Sequence, residues 1–264
     1  MSMHHAQAPR LPWGPLQKTD WGALVELAPS SFDLLSPGAI ARQGLELLSN
    51  AANGRRFQTT LTTMQRQLRD ANVPILVKEH RDGSRTLPHD QLSRSQRRWI
   101  GQIALELYFA QLFRSDVAVI DLWPTRLGVD EAGDAIWSPR PFYVRWESRF
   151  REGVRNVYAG FFLGNTEQFE RGVRQLGLGA RGKVLVDHFG PGNQRSVRFG
   201  PEILRTTLES MVGERADAES ELHPNFAAFG LSLVALHELL GSLDMAFDVR
   251  AAFMRAYPGD AFQR

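Results

Sequence analysis

Gly177, Gly182 and Lys183 carry the spacing of a phosphate-binding loop. In such a loop glycines let backbone N–H groups wrap phosphates at the start of a helix, lysine neutralises charge, and a following Ser or Thr holds Mg²⁺. Val184 stands where that hydroxyl belongs. The order of elements is also wrong. Asn165 to Leu176 is predicted as a helix and Lys183 to Asp187 as a strand, whereas phosphate loops run from strand to helix. Gly177 is expected instead to end a helix in a left-handed cap, with Gly179 to Gly182 turning into the strand.

Other catalytic patterns are thinner. The chain has no cysteine, which removes disulfides, thiolate catalysis and Cys-ligated zinc, and it has no G-x-S-x-G nucleophile turn. Seven histidines are scattered at 4, 5, 80, 89, 188, 223 and 237. The nearest approach to a metal set is Glu219 with His223 and His237, joined in space by His188 beside Asp187. No H-E-x-x-H or E-x-x-H pair supports it. Pro224 makes His223 an expected N-cap, and His237 is expected to pack in the core. Neither a metal nor a cofactor is expected.

Three groups of residues could carry binding. Between Trp123 and Tyr158 arginines alternate with aromatic side chains, a pattern that intramolecular ion pairs and a strand–helix core explain most simply, and that also matches the residue types dominating protein interfaces. Its exposed members are expected to be Trp137, Arg140, Arg145, Trp146 and Arg149. Five acidic residues in the same stretch, with Asp121 just before it, cancel its six arginines, so it makes a poor footprint for a polyanion. A second set, Arg55, Arg56, Arg66, Arg69, Arg94, Arg97 and Arg98, offers an anionic-ligand or nucleic-acid site whose affinity would fall steeply with salt. A third is the stripe Arg98, Gln102 and Glu106, spaced by four on one helix face. It reads as a thin solvent-facing line or as a polar line facing a pocket, and the latter would suit an enzyme whose site forms only in three dimensions.

These residues need elements to hold them. At 264 residues, with 43% hydrophobic and 23% charged side chains, the chain can bury a substantial core. Basic residues comprise 28 Arg and only three Lys, a bias expected from a GC-rich genome. Residues 42–114 carry a net charge of +6 and residues 200–264 a net charge of −5, which suggests two parts that attract one another. The start of the chain shows no secretory signal, and a cytoplasmic home is expected. Phe226 to Leu243 is apolar enough to consider a membrane span, but His237 and Glu238 within it favour a buried core helix.

Residues 1–35 read as an extended arm, with Trp13 and Trp21 docking on the body. Residues 36–264 read as one mainly helical (α+β) domain with a small antiparallel sheet of hairpins from 73–88 and 117–145. Ser36-Pro37 opens a first helix whose apolar face is Ile40, Leu47, Leu48 and Ala51, closed by Gly54. A second runs from Phe57 to Asp70. Ile75 to Lys78 and Arg85 to Leu87 form a hairpin around Asp82-Gly83. Ser93 to Arg114 is apolar nearly all round and should sit centrally. Val117 to Asp121 is a strand, followed by a hairpin around Asp130–Asp134 and a strand from Pro141 to Arg145. Arg149 to Leu163 ends at Gly164, and Asn165 with Gln168 makes a capping box for the next helix. A short strand near Val197 precedes helices from Pro201 to Gly213, Pro224 to Leu240 and Phe247 to Tyr257. The function expected is a non-enzymatic protein that binds another protein or its own copy. Nucleic-acid binding is the weaker alternative, and no membrane partner is expected.

Overall fold

The computed structural model describes residues 37–79, 86–190, 192, 196–213 and 222–258. The proposed arm with Trp13 and Trp21, the Ser36 cap, the Asp82-Gly83 turn and Glu219 lie outside the described residues.

Pro37 begins α1 (Pro37–Ala51). Gly54 opens the next helix rather than closing this one, because Asn53 caps it: its Oδ1 accepts from the Arg56 N–H at 3.1 Å. Helix α2 (Gly54–Asp70) therefore starts three residues earlier than the apolar period suggests, and buries Phe57, Leu61, Met64 and Leu68 along one stripe. Strand β1 (Leu76–Val77) follows. Ser93 then caps α3 (Arg94–Arg114) with a complete capping box to Gln96.

Three short strands of the expected kind come next: β2 (Val117–Val119), β3 (Leu127–Val129) and β4 (Ala135–Trp137), with β5 (Tyr143–Arg145) after them. β3 and β4 form the antiparallel hairpin predicted around Asp130–Asp134. Asp130 Oδ1 holds its turn by accepting from the N–H groups of Ala132 and Asp134. β2 and β5 pair antiparallel separately.

Among the described residues, the limbs expected to form a hairpin, Ile75–Lys78 and Arg85–Leu87 (of which Arg85 lies outside them), do not pair with each other. β1 joins β4 in parallel, with Leu76 opposite Ile136 and Val77 opposite Trp137. The Leu87 N–H instead donates to Val129 on β3, at 2.7 Å. The β3–β4 hairpin has two edges: β1 takes the β4 edge, and Leu87 bonds to the β3 edge.

Helix α4 (Ser148–Leu163) ends at Gly164 in the left-handed region, and α5 (Thr166–Leu176) ends the same way at Gly177, as their spacing predicts. Only half of the capping box between them forms. Asn165 accepts from the Gln168 N–H, but the Gln168 amide donates to Asn156 on α4. The two helices lie so close that a Cβ on Gly160 would sit 2.3 Å from the Phe169 nitrogen, and one on Gly172 2.5 Å from the Val157 nitrogen.

Residues Lys183–Asp187 are helical rather than extended, and belong to α6 (Arg181–Asp187). Val184-Leu185-Val186 is a run too short for periodicity to separate strand from buried helix. Beyond it, β6 (Val197–Arg198), α7 (Pro201–Gly213), α8 (Phe226–Ser242), β7 (Ala246–Phe247) and α9 (Val249–Ala256) complete the described chain. β6 and β7 pair antiparallel. The last helix starts after Phe247, because Asp248 caps it by accepting from the Ala251 N–H. No described helix is long and apolar enough to cross a membrane.

The fold is mainly helical with small, mostly antiparallel sheets. α3 is its axis, packed by α9, α8, α4 and the strands β2 and β3. Phe109 on α3 meets Phe113, Tyr158, Phe162, Phe189 and Phe253 edge-on, tilted or stacked within 6 Å. Beside it the phenols of Tyr108 and Tyr158 hydrogen-bond to each other at 2.8 Å, fully buried. Burial pushes both hydroxyls well above the usual tyrosine range, so they remain neutral hydrogen-bonding groups.

Candidate functional site

The arginine–aromatic stretch folds inward. Trp137 is wholly buried in β4, and its indole N–H donates to the Asp121 carbonyl at 2.9 Å. Trp146 is also buried and packs on Phe150 with ring centres 5.3 Å apart. The expectation that both tryptophans face solvent is thus corrected: a stretch that crosses three strands and enters a helix puts its large rings on the core side. Arg140 turns back as well. Its backbone N–H and guanidinium both bind the buried carboxylate of Asp121, at 2.6 Å in each case. Asp121 is therefore the anchor of a bidentate ion pair, with Arg126 as a second cation at 3.9 Å. Arg145 and Arg149 remain at the surface, Arg145 in an ion pair with Asp116.

Several other arginines serve helix ends. Arg155 donates to the carbonyls of Leu112 and Phe113 at the end of α3. Arg114 reaches the Ala256 carbonyl that ends α9, and Arg181 the Met211 carbonyl near the end of α7. Cations there satisfy carbonyls left without helical partners and oppose the negative end of the dipole. Burial, followed by the neighbouring Arg151, lowers Arg155 to about 10, so it stays charged at neutral pH.

The second arginine set divides in two. Arg55, Arg66 and Arg69 share one exposed face of α2 with Thr59 and Thr62, while Arg56 is exposed beside it. The far end of α2 touches the far end of α3, where Gln67 donates to the Arg114 carbonyl. Arg94, Arg97 and Arg98 lie at the opposite end of α3, roughly 24–30 Å from that contact by helix rise. Arg97 is partly engaged there, donating to the Leu92 carbonyl at 3.0 Å. Arg66 and Arg69, beside that contact, are therefore set apart from Arg94, Arg97 and Arg98.

The polar stripe runs from solvent into a helix contact. Arg98 is exposed, the Gln102 amide approaches the Asp248 carbonyl, and Glu106 is buried against Arg255 of α9. Gln102 and Glu106 face α9 and the residue that caps it. A cavity of about 620 Å³ opens between the α4–α5 corner and α6, with Phe161, Phe169 and Val186 as apolar walls and Lys183 and Asp187 at its rim. Lys183 of the glycine-rich segment thus lies on a groove. Gly182 has a packing role, because a Cβ there would meet Val173 at 2.3 Å.

The histidines come together only in part. His188 and His237 are buried with ring centres 5.3 Å apart, and His237 Nδ1 is 3.1 Å from the Gly200 carbonyl. His223 is elsewhere. It lies on Phe150, accepts from the Asn225 N–H, and sets Nε2 3.4 Å from Glu147. Asn225, not His223, is the residue that precedes α8. Among the described residues no three ligating side chains converge. Burial, reinforced for His188 by the neighbouring His237, lowers both imidazoles, His188 well below 6.5 and His237 to about 4.

The surface that sequence reasoning missed is the outward face of α1. Leu47 packs inward, but Leu48, expected beside it in the core, is 66% exposed and Leu45 is 69% exposed. With exposed Ala41 and Ala52 they form a row at intervals of four, three and four residues. The helix is held from its other side: Asn50 donates to the Tyr143 carbonyl at 2.8 Å, and α1 packs on β5, α8 and α2. The signal was present as a second apolar row, but periodicity alone does not say which of two rows meets the core.

Compared with known proteins, the chain matches no family model and aligns significantly with no curated protein.

Proposed function

We propose that this chain is a non-enzymatic interaction protein that engages another protein, or its own copy, through the outward face of α1. The observation that carries this reading is Leu45 and Leu48, two large apolar side chains about two-thirds exposed on a helix already docked by its other face. Contiguous exposed apolar surface beside polar flanks marks interaction sites, whereas isolated exposed leucines need no explanation. Arg42 and Ser49 supply the polar flank. A photo-crosslinking side chain at position 48 tests the reading in cells producing the full chain. A discrete crosslinked product is expected at 48 and not at Thr62, an exposed position on α2. Equal, diffuse labelling at both positions would overturn it.

A second reading rests on Arg55, Arg66 and Arg69. Along α2 they make a row of about 21 Å, long enough to follow several phosphates of a nucleic-acid strand. Its signature is an affinity for polyanions that falls steeply between low and moderate salt.

A further inference from the structure

Lys183, spaced like a phosphate-loop lysine, instead lines the cavity between the α4–α5 corner and α6. At about 620 Å³ this cavity falls within the size range of small-molecule sites. Its apolar walls are Phe161 and Phe169, both half-buried, and buried Val186. Gly164 and Gly190 complete the lining at φ +73° and +71°, where side chains are rarely accommodated, so the mouth is kept clear of them.

Two opposite charges share the α6 wall. Lys183 and Asp187 are both exposed and four residues apart on that helix, with Cβ atoms about 5–6 Å apart. Elsewhere such spacings close into ion pairs, as in Glu167–Arg171, Glu170–Arg174 and Arg205–Glu209. Lys183 and Asp187 do not pair, and neither has another ion-pair partner among the described residues. Lysine before carboxylate is the weaker order for a helical pair, and each charge stands at the end of α6 whose dipole disfavours it. The helix gains little from either charge. A ligand carrying the two opposite charges would gain from both.

We infer that this cavity binds a free α-amino acid with a large apolar side chain, aromatic above aliphatic. The inference goes beyond the interaction reading and does not rest on it, since the cavity lies on α4, α5 and α6 while α1 packs on β5, α8 and α2. The ligand's carboxylate meets Lys183, its ammonium meets Asp187, and its side chain lies against Phe161, Phe169 and Val186. A simple anion would be repelled by Asp187, and a simple cation by Lys183. A neutral apolar molecule would partly desolvate both charges and pair with neither. A zwitterion with both charges on one carbon answers both. The charged contacts lie at the surface and each adds modestly, so a molecule of this size binds with a Kd of roughly 10 μM to 1 mM.

Isothermal titration calorimetry of the full chain with L-phenylalanine tests this. Saturable binding of one ligand per chain in that range is expected. N-acetyl-L-phenylalanine, which lacks the ammonium, and L-phenylalanine amide, which lacks the carboxylate, should each bind roughly fivefold more weakly. Lys183→Met should weaken L-phenylalanine by a similar factor and remove its advantage over the amide. Asp187→Asn should do the same against the N-acetyl compound. Both positions are exposed, so circular dichroism should not change. No saturable binding up to about 10 mM overturns the proposal, as do equal affinities for the three compounds. An L-phenylalanine affinity untouched by both substitutions overturns it too, by placing the ligand elsewhere. None of these results bears on crosslinking at position 48, so either reading can fail alone.

Discussion

His237 and His188 show what a polar side chain does when the fold surrounds it with phenyl rings. His237 stacks edge-on to Phe199 and His188 lies on Phe189, and neither Nε2 has a hydrogen-bond partner. Both are therefore held neutral, and the pH dependence has a definite sign. An imidazole whose folded pKa lies below its unfolded value binds its proton more tightly in the unfolded chain. Stability is full above about pH 6.5, begins to fall below it, and for His237 has lost about 3 kcal/mol near pH 4. His188 adds in the same direction. Comparing denaturation midpoints at pH 7 and pH 4.5 for the natural chain and for His237→Asn measures this. The variant should lose less stability on acidification, and an identical loss in both would contradict the assignment. The burial of His237 was legible from its place in an apolar helix. Its neighbour His188 was not, because Val184 to Val186 gave no period.

At the scale of elements, the α4–α5 hairpin illustrates how the backbone can set a contact that side chains elsewhere provide. Gly160 and Gly172 let the helices touch through main chain, so Gly172→Ala must push α5 away from Val157 and Gly153 of α4. A cost of about 1–3 kcal/mol follows from overpacking of this kind, read as a lower denaturant midpoint. An unchanged midpoint would mean that the helices are not in contact at that point. Helix ends were the most legible feature of the chain: Ser93, Gly164, Gly177 and Pro201 each fall where an element begins or ends. These residues act through local backbone chemistry, which sequence displays directly. Strand pairing was less legible. Leu76 and Val77 are apolar whether they meet Leu87 in a hairpin or Ile136 in parallel, and only the three-dimensional edges of β3–β4 decide between the two. The tryptophans of the proposed interface failed for a related reason. Composition marks Trp137 and Trp146 as residues suited to interfaces, and the same size and apolarity suit them to the core.

For the whole molecule, the arginine excess turns out to have structural uses: a clamp on Asp121 and caps on α3, α7 and α9. The net charges of residues 42–114 and 200–264 suggested two parts attracting one another. Yet Glu106–Arg255, an ion pair that joins them, runs against those net charges. The parts are held instead by packing of α3 on α9 and α8. Among the described residues the two most exposed large apolar side chains are Leu45 and Leu48 on α1, and the central claim is that another protein surface covers them. The absence of cysteine gives a clean test, since Leu48→Cys and Thr62→Cys each create a single thiol. Maleimide labelling rates at the two positions would be compared in intact cells and in purified, diluted protein. The account predicts that position 48 is protected several-fold in cells relative to position 62, and that the protection disappears on dilution. Equal rates at both positions under both conditions would contradict it.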